Sequence, residues 1–303
     1  MAGNPCGNTC LTRGFTPTYE SLAKESPPPD MDALLLAKAI LMGLVEGLTE
    51  FFPISSTGHL IVVGDLIRFD AHGAKVFEVV IQLGAILAVL WVYRARFTRM
   101  LRGLTRQRAE QQFALNLVLG FLPAAVVGLI AVKAIKSYLF NGPCVGAALV
   151  LGGLVILWVE RHPPRVRVTQ VGQLSPLDAF KVGCAQVLAL IPGTSRSGAT
   201  IIGGMLFGLE RRVATEFSFF LAVPIMFAAT LYDVYKNYRL FNWGDLPIFS
   251  LGFLMAFISA LLAVRGLIRF VGGHSFTGFA WYRIAFGLLI LASWHFNWIA
   301  WTI

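Results

Sequence analysis

Apolar residues fill long runs of the chain, and polar segments rich in arginine separate these runs. Six runs approach the roughly 20 residues that a helix needs to cross a bilayer. They lie at about 75–93, 112–132, 143–159, 212–232, 246–268 and 279–300. Two further apolar stretches, about 33–68 and 177–208, are interrupted by proline, glycine and hydroxyl residues. Because such residues end one helix and cap the next, the pattern predicts about six transmembrane helices and two broken ones.

The composition agrees with a membrane protein. Of the 303 residues, 56% are hydrophobic and only 14% are charged, with a formal net charge of +9. The arginines gather between apolar runs, as they do in cytoplasmic loops, so a nucleic-acid partner is not expected. Residues 1–30 are polar, contain no apolar signal-peptide core and end in three prolines. We therefore predict a disordered extension at 1–30, followed by a single transmembrane domain at 31–303.

The positions of the arginines predict an orientation in the membrane. The segment 94–108, which follows the first uninterrupted run, is rich in arginine and therefore predicted to be cytoplasmic. The later basic segments fall on the same side only if each broken stretch enters and leaves the membrane by one face. Both broken stretches are accordingly predicted to be re-entrant hairpins, the first opening outward and the second inward.

The two halves of the chain, about 33–160 and 175–303, share this pattern. Aligning Gly43 with Gly183 brings the two breaks into register to within one position. This predicts an internal duplication of about 140 residues whose halves have opposite membrane orientations and whose broken helices meet near the midplane. The predicted fold is an all-α polytopic integral membrane protein with an inverted-topology repeat.

The first break carries carboxylate, hydroxyl and imidazole groups. Glu46 and Glu50 precede it, and their spacing of four places both on one helical face. The hydroxyl residues that follow the break are Ser55, Ser56 and Thr57. They can cap a new helix, and the free N–H groups of that helix attract anions. His59 lies about one turn beyond Ser56 and can reach back toward its hydroxyl.

The second break, IPGTSRSGAT at 191–200, places Arg196 inside an apolar stretch. An arginine within a membrane usually has an anionic partner, and a guanidinium group matches the oxygens of phosphate. Glycine and hydroxyl residues surround it: Gly193, Thr194, Ser195, Ser197 and Thr200. Together the breaks predict a site for a phosphate-bearing ligand, with Glu46 and Glu50 suited to a hard divalent cation. A ligand-free ion pair between Arg196 and one of these glutamates is the open alternative.

Two motifs, EGLTEFFPISSTGH at 46–59 and PGTSRSGAT at 192–200, resemble those of the bacterial undecaprenyl-diphosphate phosphatase family, also called bacitracin-resistance proteins. The resemblance covers about residues 31–300. It implies hydrolysis of the terminal phosphate of undecaprenyl diphosphate, which returns the monophosphate lipid carrier to cell-wall synthesis. It also implies dependence on a divalent cation, Mg2+ or Ca2+.

The resemblance further implies roles for the matching residues. Arg196 clamps the diphosphate, Ser56 is the favoured nucleophile, and His59 is its base or the proton donor to the leaving group. Glu46 and Glu50 hold the metal, and Glu50 could instead hold a metal-activated water that attacks in place of Ser56. The expected phosphate-binding residues are Ser55, Thr57, Gly193, Thr194, Ser195, Ser197 and Thr200.

The expected location is the bacterial inner membrane, with the active site facing the periplasm. The expected partners are a polyprenyl diphosphate substrate and membrane lipid, and a homodimer is left open. Inverted repeats with broken helices also build secondary transporters. The alternative function is therefore a transporter or lipid flippase for a phosphate-bearing substrate, which would move the lipid without releasing phosphate.

Overall fold

A computed structural model describes residues 33–69, 74–237, 243–296 and 298. The predicted extension at 1–30 lies outside the described residues. Within those ranges the regular structure is helical, and the only β pairing is an isolated bridge between Val168 and Leu209. The α-helices are α1 (Ala33–Thr49), α2 (Ser56–Leu66), α3 (Ala74–Val92), α4 (Arg94–Gly103), α5 (Arg108–Tyr138), α6 (Gly142–Arg161), α7 (Pro176–Val187), α8 (Arg196–Leu206), α9 (Arg211–Asn237), α10 (Leu246–Val271) and α11 (Thr277–His295).

Several of these helices are built to lie in a membrane. Among the described residues, α5, α6, α9 and α10 are long and apolar enough to cross it, and α3 together with α4 adds a fifth span if the bent pair counts as one. The prediction of an all-α, multi-pass membrane protein is confirmed. The sixth apolar run forms α11, a helix of 19 residues that contains Arg283. The number of six spans stays a prediction.

The arginine-rich segment after α3 is a helix where the sequence predicted a loop. Helix α4 turns away from α3 by 73°. Phe97 and Met100 pack against the main hydrophobic core, whereas Arg94, Arg99 and Arg102 are exposed. Arginine is a good helix former, and an apolar pair three residues apart is enough to fasten one face of a short helix. The positive charge therefore indicated a segment outside the membrane without excluding regular structure.

Both broken stretches divide where the sequence predicted. The first becomes α1 and α2, and the second becomes α7 and α8. Helices α2 and α8 each contain 11 residues, and each follows a serine with a positive φ angle: 72° at Ser55 and 71° at Ser195. This left-handed conformation is unusual for serine. Its presence at both breaks shows that the two loops turn in the same way.

The helix packing exchanges partners between the halves. Helix α1 packs against α10, and α7 packs against α5. In the predicted duplication α1 corresponds to α7, and α5 corresponds to α10. The contact between α1 and α10 is then equivalent to the contact between α7 and α5. The approach of α1 to α10 is close, because a Cβ atom added at Gly43 would overlap the carbonyl oxygen of Gly252. This exchange is what a duplication predicts, whereas the inverted orientation of the halves stays a prediction.

The largest core cluster lies against the first break. Phe51 is fully buried and makes an edge-to-face contact with Phe219 of α9, with 5.5 Å between the ring centroids. Phe52, the next residue, packs against Phe279 of α11. Edge-to-face aromatic pairs add stability beyond the area that they bury. The turn between α1 and α2 is thus held by aromatic contacts to two helices of the second half.

Candidate functional site

The two breaks meet at one cavity of about 200 Å³. Its apolar wall includes Ile225 and Met226 of α9. The polar residues that line it come mainly from the breaks: Glu50, Ser55, Ser56, Thr57, Gln82, Ser195 and Arg196. The fold therefore brings together residues that lie about 140 positions apart, in a space large enough for a phosphate-sized group.

Glu50 occupies the centre of this polar cluster. It follows the last turn of α1, where its backbone N–H donates to the carbonyl oxygen of Glu46 at 2.9 Å. Its Oε2 atom accepts a hydrogen bond from the Ser56 hydroxyl at 2.5 Å, and its Oε1 atom accepts one from Nε of Arg196 at 3.4 Å. A single buried carboxylate thus joins the hydroxyl of the first break to the guanidinium of the second.

Arg196 is the first residue of α8, and 12% of its side chain is exposed. In addition to Nε, its Nη1 atom donates to the carbonyl oxygen of Ser218 at 3.1 Å. Its Nη2 atom is buried and has no hydrogen-bond acceptor among the described residues. A buried N–H donor without an acceptor is costly, and a charged donor more so. The oxygen of an anion in the cavity would satisfy it.

The other hydroxyl residues of the second break are mostly engaged within the protein. Ser195 caps α8 by accepting from the backbone N–H of Gly198 at 3.1 Å. The Ser197 hydroxyl donates to the carbonyl oxygen of Phe52 at 2.8 Å, which ties the two breaks together. The Thr200 hydroxyl donates to the carbonyl oxygen of Arg196 at 2.9 Å. Ser197 and Thr200 are fully buried behind the cavity wall, so any part they play in phosphate binding passes through the loop that they hold.

Gly193 and Thr194 shape the turn that precedes Ser195. Gly193 has a φ angle of +92°, and a Cβ atom there would overlap the carbonyl oxygen of Val145 in α6. Both observations require glycine at this position. The Thr194 N–H donates to the carbonyl oxygen of Ile191 at 3.1 Å and closes the turn. Gly193 lines the cavity and Thr194 lies beside it, facing a separate apolar groove.

His59 is buried, and both of its ring nitrogens are occupied. Nδ1 lies 2.7 Å from the carbonyl oxygen of Ser55, and Nε2 lies 2.7 Å from the Tyr282 hydroxyl. Because a carbonyl can only accept, Nδ1 carries a proton, and in the neutral imidazole Tyr282 donates to Nε2. The ring also stacks on Phe286, with 4.3 Å between centroids. Glu50, and not His59, is the group bonded to the Ser56 hydroxyl, so the expected role of His59 as base stays a prediction.

Glu46 lies one turn before Glu50, and 2% of it is exposed. Its Oε2 atom is buried and has no hydrogen-bond partner in the part of the chain that the structure describes. The described residues contain no cluster of three or more acidic, histidine or cysteine side chains that would enclose a metal. Mg2+ commonly binds through one or two carboxylates, with water and phosphate oxygens completing its shell. Glu50 lines the cavity and Glu46 lies behind it, so the expected metal site at these two residues stays a prediction.

Sequence reasoning missed three residues at this site. Gln82 of α3 lines the cavity, Tyr282 of α11 bonds to His59, and Arg283 bonds to both breaks. Gln82 and Tyr282 belong to no motif, and nothing near them in the sequence links them to either break. Arg283 could have been found by the rule that singled out Arg196, since it is also an arginine inside an apolar run.

The fold and the cavity define an integral membrane protein with a buried polar site at the meeting point of two broken helices. A family profile described as bacitracin resistance protein BacA matches residues 39–289. The chain belongs to this family, which confirms the resemblance found in the two motifs.

Curated relatives match almost the whole chain. The chain is 66% identical over 272 residues to the undecaprenyl-diphosphatase of Laribacter hongkongensis, a match that covers 90% of this chain and 100% of that protein. It is 56% identical over 272 residues to the undecaprenyl-diphosphatase of Dechloromonas aromatica, with coverage of 90% and 99%. It is 57% identical over 264 residues to that of Methylococcus capsulatus, with coverage of 87% and 97%.

Proposed function

We propose that the protein hydrolyses undecaprenyl diphosphate to undecaprenyl phosphate and inorganic phosphate. One observation carries this function: the Glu50 carboxylate bonds both the Ser56 hydroxyl and the Arg196 guanidinium beside a cavity of phosphate size. The relatives bear the name of this activity, and near-complete coverage of their length supports extending it to this chain. The reaction returns a lipid carrier to cell-wall synthesis, and resistance to bacitracin agrees with the family name.

The terminal phosphate binds where the helix starts converge. The N-termini of α2 and α8 both border the cavity, so free N–H groups and two helix dipoles favour an anion there. The unsatisfied Nη2 atom of Arg196 donates to a phosphate oxygen. The residues that line the phosphate are Ser55, Thr57, Gly193 and Ser195, and those that support this lining from behind are Thr194, Ser197 and Thr200. The polyprenyl tail lies against lipid.

In the chemical step, the Ser56 oxygen attacks the terminal phosphorus and forms a P–O bond. Glu50 accepts the hydroxyl proton through Oε2, the atom to which that hydroxyl is already bonded. The bond from phosphorus to the bridging oxygen breaks, its electron pair stays on that oxygen, and undecaprenyl phosphate leaves. Glu50 then releases its proton to solvent, and a water attacks the phosphoserine. Glu50 takes one proton from this water and passes it to the Ser56 oxygen as the bond between phosphorus and that oxygen breaks, which regenerates serine and releases phosphate. Direct attack by a water that Glu50 orients gives the same products without the covalent intermediate.

His59 fits the other proton transfer. Glu50 holds the base position beside Ser56, and His59 is bonded to the Tyr282 hydroxyl at 2.7 Å. Tyr282 is 46% exposed on α11. For this transfer His59 must carry a proton on both ring nitrogens and release the Tyr282 hydroxyl, so that Nε2 donates to the bridging oxygen of the leaving group.

A divalent cation, Mg2+ or Ca2+, fits between the carboxylates and the substrate. Glu46 has a buried oxygen without a partner, whereas both oxygens of Glu50 are already bonded. Glu46 would be the principal protein ligand and Glu50 the second, with oxygens of the diphosphate completing the shell. When bound, the cation neutralises the negative charge of the diphosphate.

The site is proposed to face the periplasm, in the inner membrane. The support is the placement of arginines, which puts α4 on the cytoplasmic side and the first break on the other. Labelling of intact cells by a membrane-impermeant maleimide tests this in a cysteine-free background. Thr57→Cys should react from outside, and Arg99→Cys only after permeabilisation. The reverse result would contradict this orientation. Native mass spectrometry of the purified protein distinguishes a monomer from the homodimer left open above.

The decisive experiment measures phosphate release from a polyprenyl diphosphate by the purified protein in detergent, with and without a chelator. Wild type should be active, the chelator should stop the reaction, and Ser56→Ala and Arg196→Ala should each lose most activity while keeping a native melting profile. A protein that binds the lipid but releases no phosphate with any metal would overturn the phosphatase and favour the transporter. Activity of Ser56→Ala near the wild-type level would instead favour direct attack by water.

A further inference from the structure

Arg283 lies near the middle of α11 and is 1% exposed, so a full positive charge is buried inside the protein. Each acceptor of its guanidinium is a backbone carbonyl oxygen. Nε donates to Leu149 at 3.3 Å, Nη1 to Pro53 at 3.0 Å and Thr194 at 2.9 Å, and Nη2 to Ala148 at 3.2 Å and Gly193 at 3.2 Å. A guanidinium has five N–H groups, so these five bonds use its donors completely. Within the described residues no carboxylate pairs with it.

These acceptors lie on three separate pieces of the chain. Pro53 belongs to the first break, Gly193 and Thr194 belong to the second, and the remaining two acceptors lie in α6. A broken helix inside a membrane leaves carbonyl oxygens without their usual N–H partners, and lipid offers no substitute. One side chain thus satisfies carbonyl groups that both breaks set free.

The space around the guanidinium is shaped to hold it. A Cβ atom added at Gly152 of α6 would overlap Nη2, and one added at Gly198 of α8 would lie 3.0 Å from Nη1. The group therefore sits in a slot whose walls are glycine on two sides. A lysine has a single ammonium with three donors and cannot reach five carbonyl oxygens arranged around a planar fork.

Arg283 does not line the polar cavity, whereas residues adjacent to its acceptors do. Ser55 and Ser56 follow Pro53 by two and three positions, and Ser195 and Arg196 follow Thr194 directly. The placement of the two acceptor loops therefore sets the separation between the Ser56–Glu50 pair and the free Nη2 atom of Arg196.

We propose that Arg283 is a positioning residue for the phosphatase site, locking the two breaks in the one register that aligns nucleophile, base and phosphate clamp. The proposal rests on the proposed function, and it adds that the alignment depends on a residue of α11 that does not touch substrate. Small displacements matter in such a site, because a misplacement of about 1 Å can reduce the rate on the order of 100-fold.

The test compares Arg283→Met and Arg283→Lys with wild type in detergent, using phosphate release from farnesyl diphosphate. For Arg283→Met we expect kcat to fall about 100-fold while KM changes less than about threefold, since loose alignment affects the transition state more than binding. Arg283→Lys should recover only part of kcat. Hydrogen–deuterium exchange should become faster in both loops, 50–55 and 191–195, and not in one alone.

A second variant leaves the arginine in place. Gly152→Ala puts a methyl group against Nη2, so it should also lower kcat and speed exchange in both loops. Its control is Gly266→Ala, because a Cβ atom there meets no neighbour within 4 Å. The control for Arg283→Met is Arg211→Met, which removes a scaffold arginine bonded to Glu160 at 2.6 Å. Arg211→Met should lower the melting temperature and leave kcat per folded molecule unchanged.

Three results would overturn the proposal. If KM rises and kcat does not fall, the charge of Arg283 acts on substrate affinity. If only the melting temperature falls, its role is structural. If exchange speeds up in one loop alone, Arg283 does not couple the breaks. Should Arg283→Met fail to fold, Gly152→Ala decides in its place. If wild type releases no phosphate, the proposed function fails, and the exchange comparison still decides whether Arg283 couples the two loops.

Discussion

The two breaks share a backbone and differ in chemistry. Ser55 and Ser195 have nearly identical φ angles, and each precedes a helix of 11 residues. The next position is Ser56 in the first break and Arg196 in the second. One break therefore supplies the hydroxyl, with its carboxylate six residues upstream, and the other supplies the guanidinium. A duplicated loop provides two helix N-termini at one cavity. Different residues at equivalent positions of the two loops then supply different chemical groups.

The loops also differ in how they support themselves. The Ser195 side chain caps α8, whereas the side chain of Ser55 makes no cap bond and its carbonyl oxygen binds His59. The second loop thus has a cap from its own hydroxyl, which the first loop lacks, whereas Arg283 bonds carbonyl oxygens of both loops. The difference agrees with the proposed function, in which the first break supplies the reacting hydroxyl and the second binds the phosphate.

The largest effect on activity is expected from removing the negative charge of Glu50 at the first break. Glu50→Gln keeps the size of the side chain but eliminates the group placed to accept the Ser56 proton. We expect kcat to fall on the order of 1,000-fold, within the range of general-base catalysis. Steady-state phosphate release measures it, with Glu216→Gln as a control, because Glu216 pairs with Arg212 in an exposed salt bridge. Equal activity of the two variants would contradict the assignment of a base to the first break.

The next prediction concerns Arg196, the proposed phosphate-binding residue of the second break. Arg196→Lys keeps the charge but loses the planar fork, so we expect kcat/KM to fall roughly 100-fold, as when one donor to a transition-state oxyanion is removed. Combining it with Glu50→Gln should cost less than the product of the single effects, because the two side chains are bonded. Independent, multiplying effects would show that the two halves do not act as one unit.

A smaller effect concerns the cation. Glu46→Gln should leave activity at saturating Mg2+ largely intact and raise the Mg2+ concentration for half-maximal rate at least about tenfold, a typical cost of weakening a metal shell. Titration of chelator-treated protein with Mg2+ measures this. Gln186 takes the corresponding place in α7, so Gln186→Glu serves as the matched change in the other half and should not shift the titration. An unchanged midpoint in Glu46→Gln would remove Glu46 from the metal site.

The smallest effect separates the two serines with positive φ. Ser195→Ala removes the cap of α8 and should destabilise the protein by about 1 kcal/mol. Ser55→Ala removes no cap, so its effect on stability should be well below that value. Thermal unfolding in detergent compares them. Equal loss of stability would show that the loops are supported alike, against the contrast drawn here.

Sequence alone predicted most of the fold, because its main signals are local. Proline, glycine and serine at the breaks, and apolar runs of bilayer length, located the helices to within a few residues at most of their ends. Helix α4 was not predicted, because the segment with six arginines was interpreted as a loop. The charge of a segment indicates on which side of the membrane it lies but not whether it is helical. The membrane orientation of the repeat stays a prediction from the arginine positions, because helix packing alone does not say which end of the fold faces the cytoplasm.

The sequence predicted which residues form the site better than it predicted the hydrogen bonds between them. Glu50, Ser56 and Arg196 were identified from motif chemistry, and the structure places them in contact. The partner of His59 was not, because Tyr282 lies 223 positions away and only the folded helices bring the two together. Hydrogen bonds between distant helices depend on the directions of their side chains. Residue spacing along the chain does not predict these directions.

The carbonyl acceptors of Arg283 have a consequence for how the loops can evolve. A carbonyl oxygen is present at every position whatever its side chain, so most substitutions in the acceptor loops leave the hydrogen bonds to Arg283 intact. Substitutions of other side chains in these loops would therefore leave the carbonyl acceptors of Arg283 in place. The hydrogen bonds to the acceptor loops therefore depend mainly on Arg283 and on Gly152 and Gly198, the two glycines that make room for its side chain.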